Sequence, residues 1–239
     1  MDKLQPVSVS GERVPLGQSG GTFALERNRV LRNTYWLLAL SLLPTIGGAI
    51  VGGQMNLARV FGAYPIAAPL LMFGVMIGSL FLVTALRNSA WGVAALFGFT
   101  FIAGLALTPI LTYAAGFANG GQLVALAGGM TAVIFFALAG YATVTKKDFS
   151  FMGKFLFIGL ILLVVVALAN LFFQIPALSL TISAVAVLLF SAYILYDVSR
   201  IVNGGETNYV MATMSLFLNI YNLFTSLLHL LLAFTGQRE

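Results

Sequence analysis

The sequence predicts an all-α, polytopic membrane protein built as a bundle of seven transmembrane helices. Three observations carry that prediction. The chain is 60% hydrophobic and only 8% charged, whereas charged residues make up about a quarter of a water-soluble domain. Its apolar residues gather into seven runs of roughly 20, the length that crosses about 30 Å of hydrocarbon as a helix. The runs are apolar on all sides, so length selects helix over strand: a membrane strand needs only about ten residues of alternating pattern.

The first run, Leu31–Gly53, follows a basic segment and is interrupted by Pro44. The second and third are Ile66–Leu86 and Gly92–Tyr113, the latter carrying Pro109. Proline within a span removes a backbone donor and is expected to kink the helix. The fourth, Gln122–Thr145, ends at Lys146-Lys147, and the fifth is Phe155–Phe173. The sixth, Ala177–Val198, ends beside an acid, and the seventh is Val210–Phe234. Glycines spaced four apart (Gly48 with Gly52, Gly74 with Gly78, Gly116 with Gly120) suit close helix packing in lipid, where hydrophobicity cannot drive association.

Lys and Arg set the expected orientation. Lys3, Arg13, Arg27, Arg29, Arg32, Arg87, Lys146, Lys147, Lys154 and Arg200 fall on one side, against Arg59 and Arg238 on the other. The N-terminus is therefore expected in the cytoplasm and the C-terminus outside. Residues 1–30 are polar and Gly- and Ser-containing, which predicts a disordered cytoplasmic tail ahead of one transmembrane domain over 31–239. That tail lacks the apolar segment of a cleavable signal peptide. The positive charge is thus a topology signal within a lipid environment, and no nucleic-acid partner is expected because no basic cluster is interleaved with stacking aromatics. Cysteine is absent, so no thiolate site exists.

The connection Ser199-Arg-Ile-Val-Asn-Gly-Gly-Glu-Thr-Asn-Tyr209 is the most polar loop between spans. Asn203, Gly204 and Gly205 suit a helix stop through left-handed backbone, and Thr207 or Asn208 can cap the helix that follows.

Enzyme chemistries find no support. A zinc protease needs several ligands on a His-Glu-x-x-His helix, and the chain has one histidine. That residue, His229, lies late in the seventh span without a nucleophile motif and reads as an interfacial histidine. An aspartyl mechanism needs two carboxylates sharing a proton, and only Asp197 belongs to a span. A retinal pigment would need a lysine in the last helix, which has none. The protein is read as non-enzymatic, with no cofactor and no metal centre.

Asp197 is the conspicuous residue. Of seven acids it alone touches an apolar run, and an ionisable group there usually marks a pathway, a proton or a structural pair. It can pair at the membrane surface with Arg200, with Arg87 as a second possible charge partner on the same side. It can instead face the seventh helix, where burial makes ionisation costly and the acid can titrate or hold a cation. Residues alone leave both readings open.

Several motifs occur in order: Leu31-Arg-Asn-Thr-Tyr35, Lys147-Asp-Phe-Ser-Phe151, Ala192-Tyr-Ile-Leu-Tyr-Asp197, the Gly-Gly-Glu-Thr-Asn-Tyr loop ending at Tyr209, and Ser215-Leu-Phe-Leu-Asn-Ile-Tyr-Asn-Leu-Phe224. Over roughly residues 30 to 235 the chain resembles the Bax inhibitor family, and the loop resembles its bacterial YccA-type branch. The resemblance implies an inner-membrane bundle with the seventh helix central. For that branch it implies binding to, and restraint of, the membrane ATP-dependent protease FtsH. For other members it implies a pH-sensitive calcium leak governed by two aspartates on the last two helices. The first matches Asp197; at the second position stands Asn219. Two carboxylates in contact share a proton and release it as pH rises. An amide resembles the protonated partner permanently, because it donates as that acid does. Calcium favours six to eight oxygens with several carboxylates, so one acid weakens the leak reading.

Overall fold

The computed structural model describes residues 19–236, with side chains over 28–235. It contains eight α-helices and no strand among the described residues: α1 Ser19–Gln54, α2 Leu57–Ala63, α3 Ala67–Leu86, α4 Trp91–Ala115, α5 Gly120–Thr145, α6 Gly153–Phe173, α7 Pro176–Val202 and α8 Tyr209–Gly236. Seven of them, all but α2, are long and apolar enough to span a membrane. Their bounds follow the seven apolar runs closely.

Two differences have physical causes. Helix α1 begins at Ser19, inside the segment expected to be tail, while residues 1–18 of that tail lie outside the described residues. The segment Phe23-Ala-Leu-Glu-Arg-Asn-Arg-Val-Leu-Arg32 is rich in strong helix formers. The helix of the first span therefore continues beyond its apolar run. The gap between the first two spans holds the additional seven-residue helix α2, entered through Asn56 in left-handed backbone. No residue of α2 is buried, and a helix this short is invisible to a search for membrane-length runs. Pro44 and Pro109 sit inside α1 and α4, which continue through them.

Helix α8 is the centre of the bundle. It packs against α7, α5, α1, α4 and α3. Leu216, Phe217, Leu223, Leu228 and Leu232 are almost wholly buried along it. Phe217 meets Phe99 of α4 edge-on, centroids 5.9 Å apart. By contrast α3 buries one residue, Val83, and α6 only Leu156 and Asn170, so both sit at the periphery with apolar faces toward lipid.

The closest helix crossing is that of α1 on α4. A Cβ on Gly48 would run into the Phe101 carbonyl, one on Gly104 into the Thr45 carbonyl, and one on Gly52 into Thr108. This is the small-residue packing expected of spans in lipid. The other expected glycine pairs do something else. Gly74 and Gly78 face no atom of this chain within 4 Å, and Gly116 and Gly120 shape the turn between α4 and α5.

At the end carrying Arg87, Lys147 and Arg200, the connections are tied together. Helix α7 stops at a left-handed Gly204 (φ 78°), with Gly205 N–H donating to the Arg200 carbonyl and Gly204 N–H to that of Ile201. That pairing satisfies carbonyls the helix end would leave free. Asn208 caps α8: its Oδ1 accepts from Val210 and Met211 N–H, each at 3.0 Å. Its Nδ2 donates to the Arg87 carbonyl (3.1 Å) and to Asn88 Oδ1 (2.8 Å), joining the α3–α4 connection. Ser199, fully buried, donates to the Lys147 carbonyl at 2.8 Å and accepts from Phe149 N–H at 3.1 Å, joining the α5–α6 connection.

Candidate functional site

Helical spacing places Asp197 inward. It lies on one face of α7 with Ile194 and Ile201, both buried, at the three- and four-residue steps that stack side chains on a helix. Asn219 has the same relation to Leu216 and Leu223 on α8. The two faces meet, and Asn219 Nδ2 donates to Asp197 Oδ2 at 2.8 Å. Asp197 is 9% exposed and Asn219 5%. A hydrogen bond to an ionised acceptor is roughly twice as strong as a neutral one, and leaving a buried carboxylate without a donor would be costly.

This pair opens onto a cleft of about 480 Å³ between α6, α7 and α8. Tyr193, Tyr196, Arg200, Ser215 and Asn222 contribute its polar lining. Gly153 of α6 allows the close approach of Tyr196, whose hydroxyl would lie 2.7 Å from a Cβ there. Of the four candidate residues, the structure joins two. Arg200 lines the same cleft but forms no ion pair with Asp197: its guanidinium lies 5.6 Å over the Tyr196 ring, donates to the Gly205 carbonyl at 3.2 Å and faces Glu206 at 3.7 Å. Arg87 is exposed, and it enters the loop network through its backbone carbonyl.

Chemically, the cleft offers one carboxylate, amides and hydroxyls. Such a set can hold a proton, a water or a weakly bound cation. It does not fit a dedicated calcium site, which draws on several carboxylates among six to eight oxygens. No three His, Cys, Asp or Glu side chains converge among the described residues.

Sequence reasoning did not single out Tyr193, Tyr196 or Asn222. For two of them the signal was helical spacing: Tyr193 lies four residues before Asp197 and Asn222 three after Asn219, whereas Tyr196, adjacent to Asp197, shares no helix face with it. Nor did it find the polar cluster at the opposite end of α6–α8. There His229 Nδ1 is 3.2 Å from Ser183 Oγ. Asn170 donates from Nδ2 to Ser179 Oγ (2.7 Å) and accepts at Oδ1 from Ile175 N–H (3.0 Å), which fixes the turn between α6 and α7.

A seven-span α-helical bundle with a buried acid–amide pair between its last two helices defines the class of protein. Comparison with known proteins places it further. The family described as "Inhibitor of apoptosis-promoting Bax1" matches residues 27–236. The chain belongs to the Bax inhibitor family. It is 39% identical over 92% of its length to an Escherichia coli K12 protein named "Modulator of FtsH protease YccA", covering 97% of that relative. The same identity and coverage are found to a protein of another Escherichia coli strain named "Inner membrane protein YccA". A "membrane protein" of Vibrio cholerae is 46% identical over 87% of this chain and 90% of its own. With its seven spans and these relatives, the protein is a multi-pass protein of the bacterial inner membrane.

Proposed function

We propose that the protein is a non-enzymatic modulator that binds an FtsH-type membrane ATP-dependent protease and restrains its degradation of membrane proteins. The observation that carries this reading is the 39% identity to the Escherichia coli modulator over nearly the full length of both chains. The interlocked basic end supports it too, since a rigid face built from three connections can present itself to a large partner. The polar segment ahead of α1, expected in the cytoplasm from the positive-inside count, would supply a second handle for that partner. Affinity purification of the tagged full-length chain from native membranes tests the proposal. FtsH co-purifies in the expected result; its reproducible absence overturns the reading.

The cleft favours a second reading. A buried carboxylate facing a cleft with several polar side chains suits a cation or proton leak gated at Asp197, and its amide partner in place of a second acid weakens pH control. Purified protein in liposomes would then carry a calcium or proton flux that Asp197→Asn changes. Flux equal to that of protein-free liposomes at every pH would rule the leak out.

A further inference from the structure

A groove of about 620 Å³ runs between α1 and α5. The backbones of these two helices stay apart; Tyr35 of α1 meets the Phe135 ring of α5 edge-on, centroids 6.2 Å apart, and the groove is floored by Ile220 of α8. Leu38, Leu42, Ala132 and Phe136 give it an almost wholly apolar wall. Toward the basic end of the bundle, Tyr35 of α1 and Thr143 of α5 add hydroxyls to the lining, that of Thr143 donating to the Ala139 carbonyl. We propose that this groove binds the acyl chain of an anionic phospholipid whose phosphodiester is held by Arg32 and Lys146.

Length and lining suit a hydrocarbon chain. Along α5 the lining extends from Gly128 to Val144, sixteen residue steps and about 24 Å of helix. Half of a hydrocarbon core about 30 Å thick is shorter than this, so the acyl chain of one leaflet fits along it.

Charge supports an anionic headgroup. Arg32 lies three residues before Tyr35, one helical turn earlier on α1, and Lys146 is the left-handed cap that ends α5 three residues after Thr143. Both are exposed, at the ends of their spans where headgroups lie. Arg29 adds a cation one turn earlier on α1. Arg27, Arg29, Arg32, Lys146 and Lys147 outnumber the two acids near them in sequence, Glu26 and Asp148. The inference is independent of the protease reading, since it concerns a different face and a different ligand.

Native mass spectrometry of the detergent-solubilised full-length protein tests it, with phosphatidylglycerol and phosphatidylcholine of identical acyl chains as probes. Each surface cation near a headgroup favours an anionic lipid roughly fivefold, so Arg32 and Lys146 together predict about a 25-fold preference for phosphatidylglycerol. Arg32→Gln with Lys146→Gln brings the two lipids toward parity. Gly128→Leu with Gly140→Leu fills the groove and lowers binding of both lipids at least tenfold. A Cβ at either glycine meets no atom within 4 Å, so these variants keep their helicity and melting temperature. Ala132→Leu, another exposed wall position, serves as a second filling variant if the double change perturbs folding. Equal binding of the two lipids by the wild type overturns the proposal, as does undiminished lipid binding in a folded, filled variant. Loss of a co-purifying protein from the filled variant, with lipid binding intact, assigns the groove to a protein partner and overturns it as well.

Discussion

Asn219 Nδ2 lies 2.8 Å from Asp197 Oδ2 across the α7–α8 interface, so the buried carboxylate is met by a donor that cannot ionise. The central helix of the bundle is thereby pinned to its neighbour, near the C-terminal end of α7, by one side-chain hydrogen bond. Replacing Asn219 with Ala leaves the carboxylate without that donor, and destabilisation of about 1–3 kcal/mol is expected. Asp197→Asn removes the charge and keeps a hydrogen-bonding pair, so it costs less. Thermal unfolding in detergent of the two variants checks this order. Asn219→Asp goes further, because two carboxylates in contact must share a proton. Its melting temperature is expected to depend on pH more steeply than that of the wild type.

Asn208 performs two separable tasks. Asn208→Ala loses the α8 cap, which costs about 0.5–2 kcal/mol, together with both bonds to the α3–α4 connection. Asn208→Asp keeps an oxygen for the cap but loses the two Nδ2 donations. The Ala variant is therefore expected to melt lowest and the Asp variant between it and the wild type. Hydrogen exchange around residues 87–90 should quicken in both.

Ser199 ties the Lys147 segment to α7 from a fully buried position. Ser199→Ala strands the Phe149 N–H and removes the bond to the Lys147 carbonyl, a loss of about 1–3 kcal/mol if nothing replaces them. Faster tryptic cleavage at Lys146 and Lys147, with cleavage at Arg59 unchanged, is the expected local signature.

The α1–α4 crossing discriminates between glycines that look alike in sequence. Gly104→Ala and Gly48→Ala push a Cβ into facing backbone, an overpacking that typically costs about 1–3 kcal/mol. Gly74→Ala and Gly78→Ala meet nothing in this chain and remove a residue with poor helix propensity. Melting temperatures should fall for the first pair and hold or rise for the second.

Asp148 lies outside the spans, in the α5–α6 connection. Hydrogen bonds from the Ser150 side chain and backbone N–H hold its carboxyl below the ordinary value of 3.8. A depressed acid contributes stability above its unfolded value and loses it as pH falls through the folded one. The turn is thus fully supported at neutral pH and weakens only below about pH 3.8. A carbon-13 NMR titration of labelled aspartate should give Asp148 a midpoint below 3.8, moved part-way back by Ser150→Ala.

Much of this structure was legible in the residues because lipid imposes simple rules. Each membrane helix satisfies its own backbone and needs a fixed apolar length, so the seven spans and the glycine stop after α7 could be placed from sequence. Short α2 escaped because it is below that length. The partners of side chains escaped for a different reason: an all-round apolar helix gives no phase. Asp197 was conspicuous as an acid, yet nothing in the composition said whether Arg200 or Asn219 would meet it. The family motif supplied Asn219, whereas the turn of Arg200 toward Tyr196 and Glu206 depends on the loop beyond it. The identical spacing of Gly48/Gly52 and Gly74/Gly78 likewise conceals whether a neighbouring helix is present.

Restraint of a membrane protease is read out by one rate. FtsH, a membrane-protein substrate and ATP are reconstituted in liposomes with or without this protein at equimolar amounts, and substrate loss is followed with time. The account predicts slower degradation when the protein is present, with restraint growing as its ratio to FtsH rises. Degradation at the same rate with and without it, while both proteins remain folded in the same bilayer, would contradict the account.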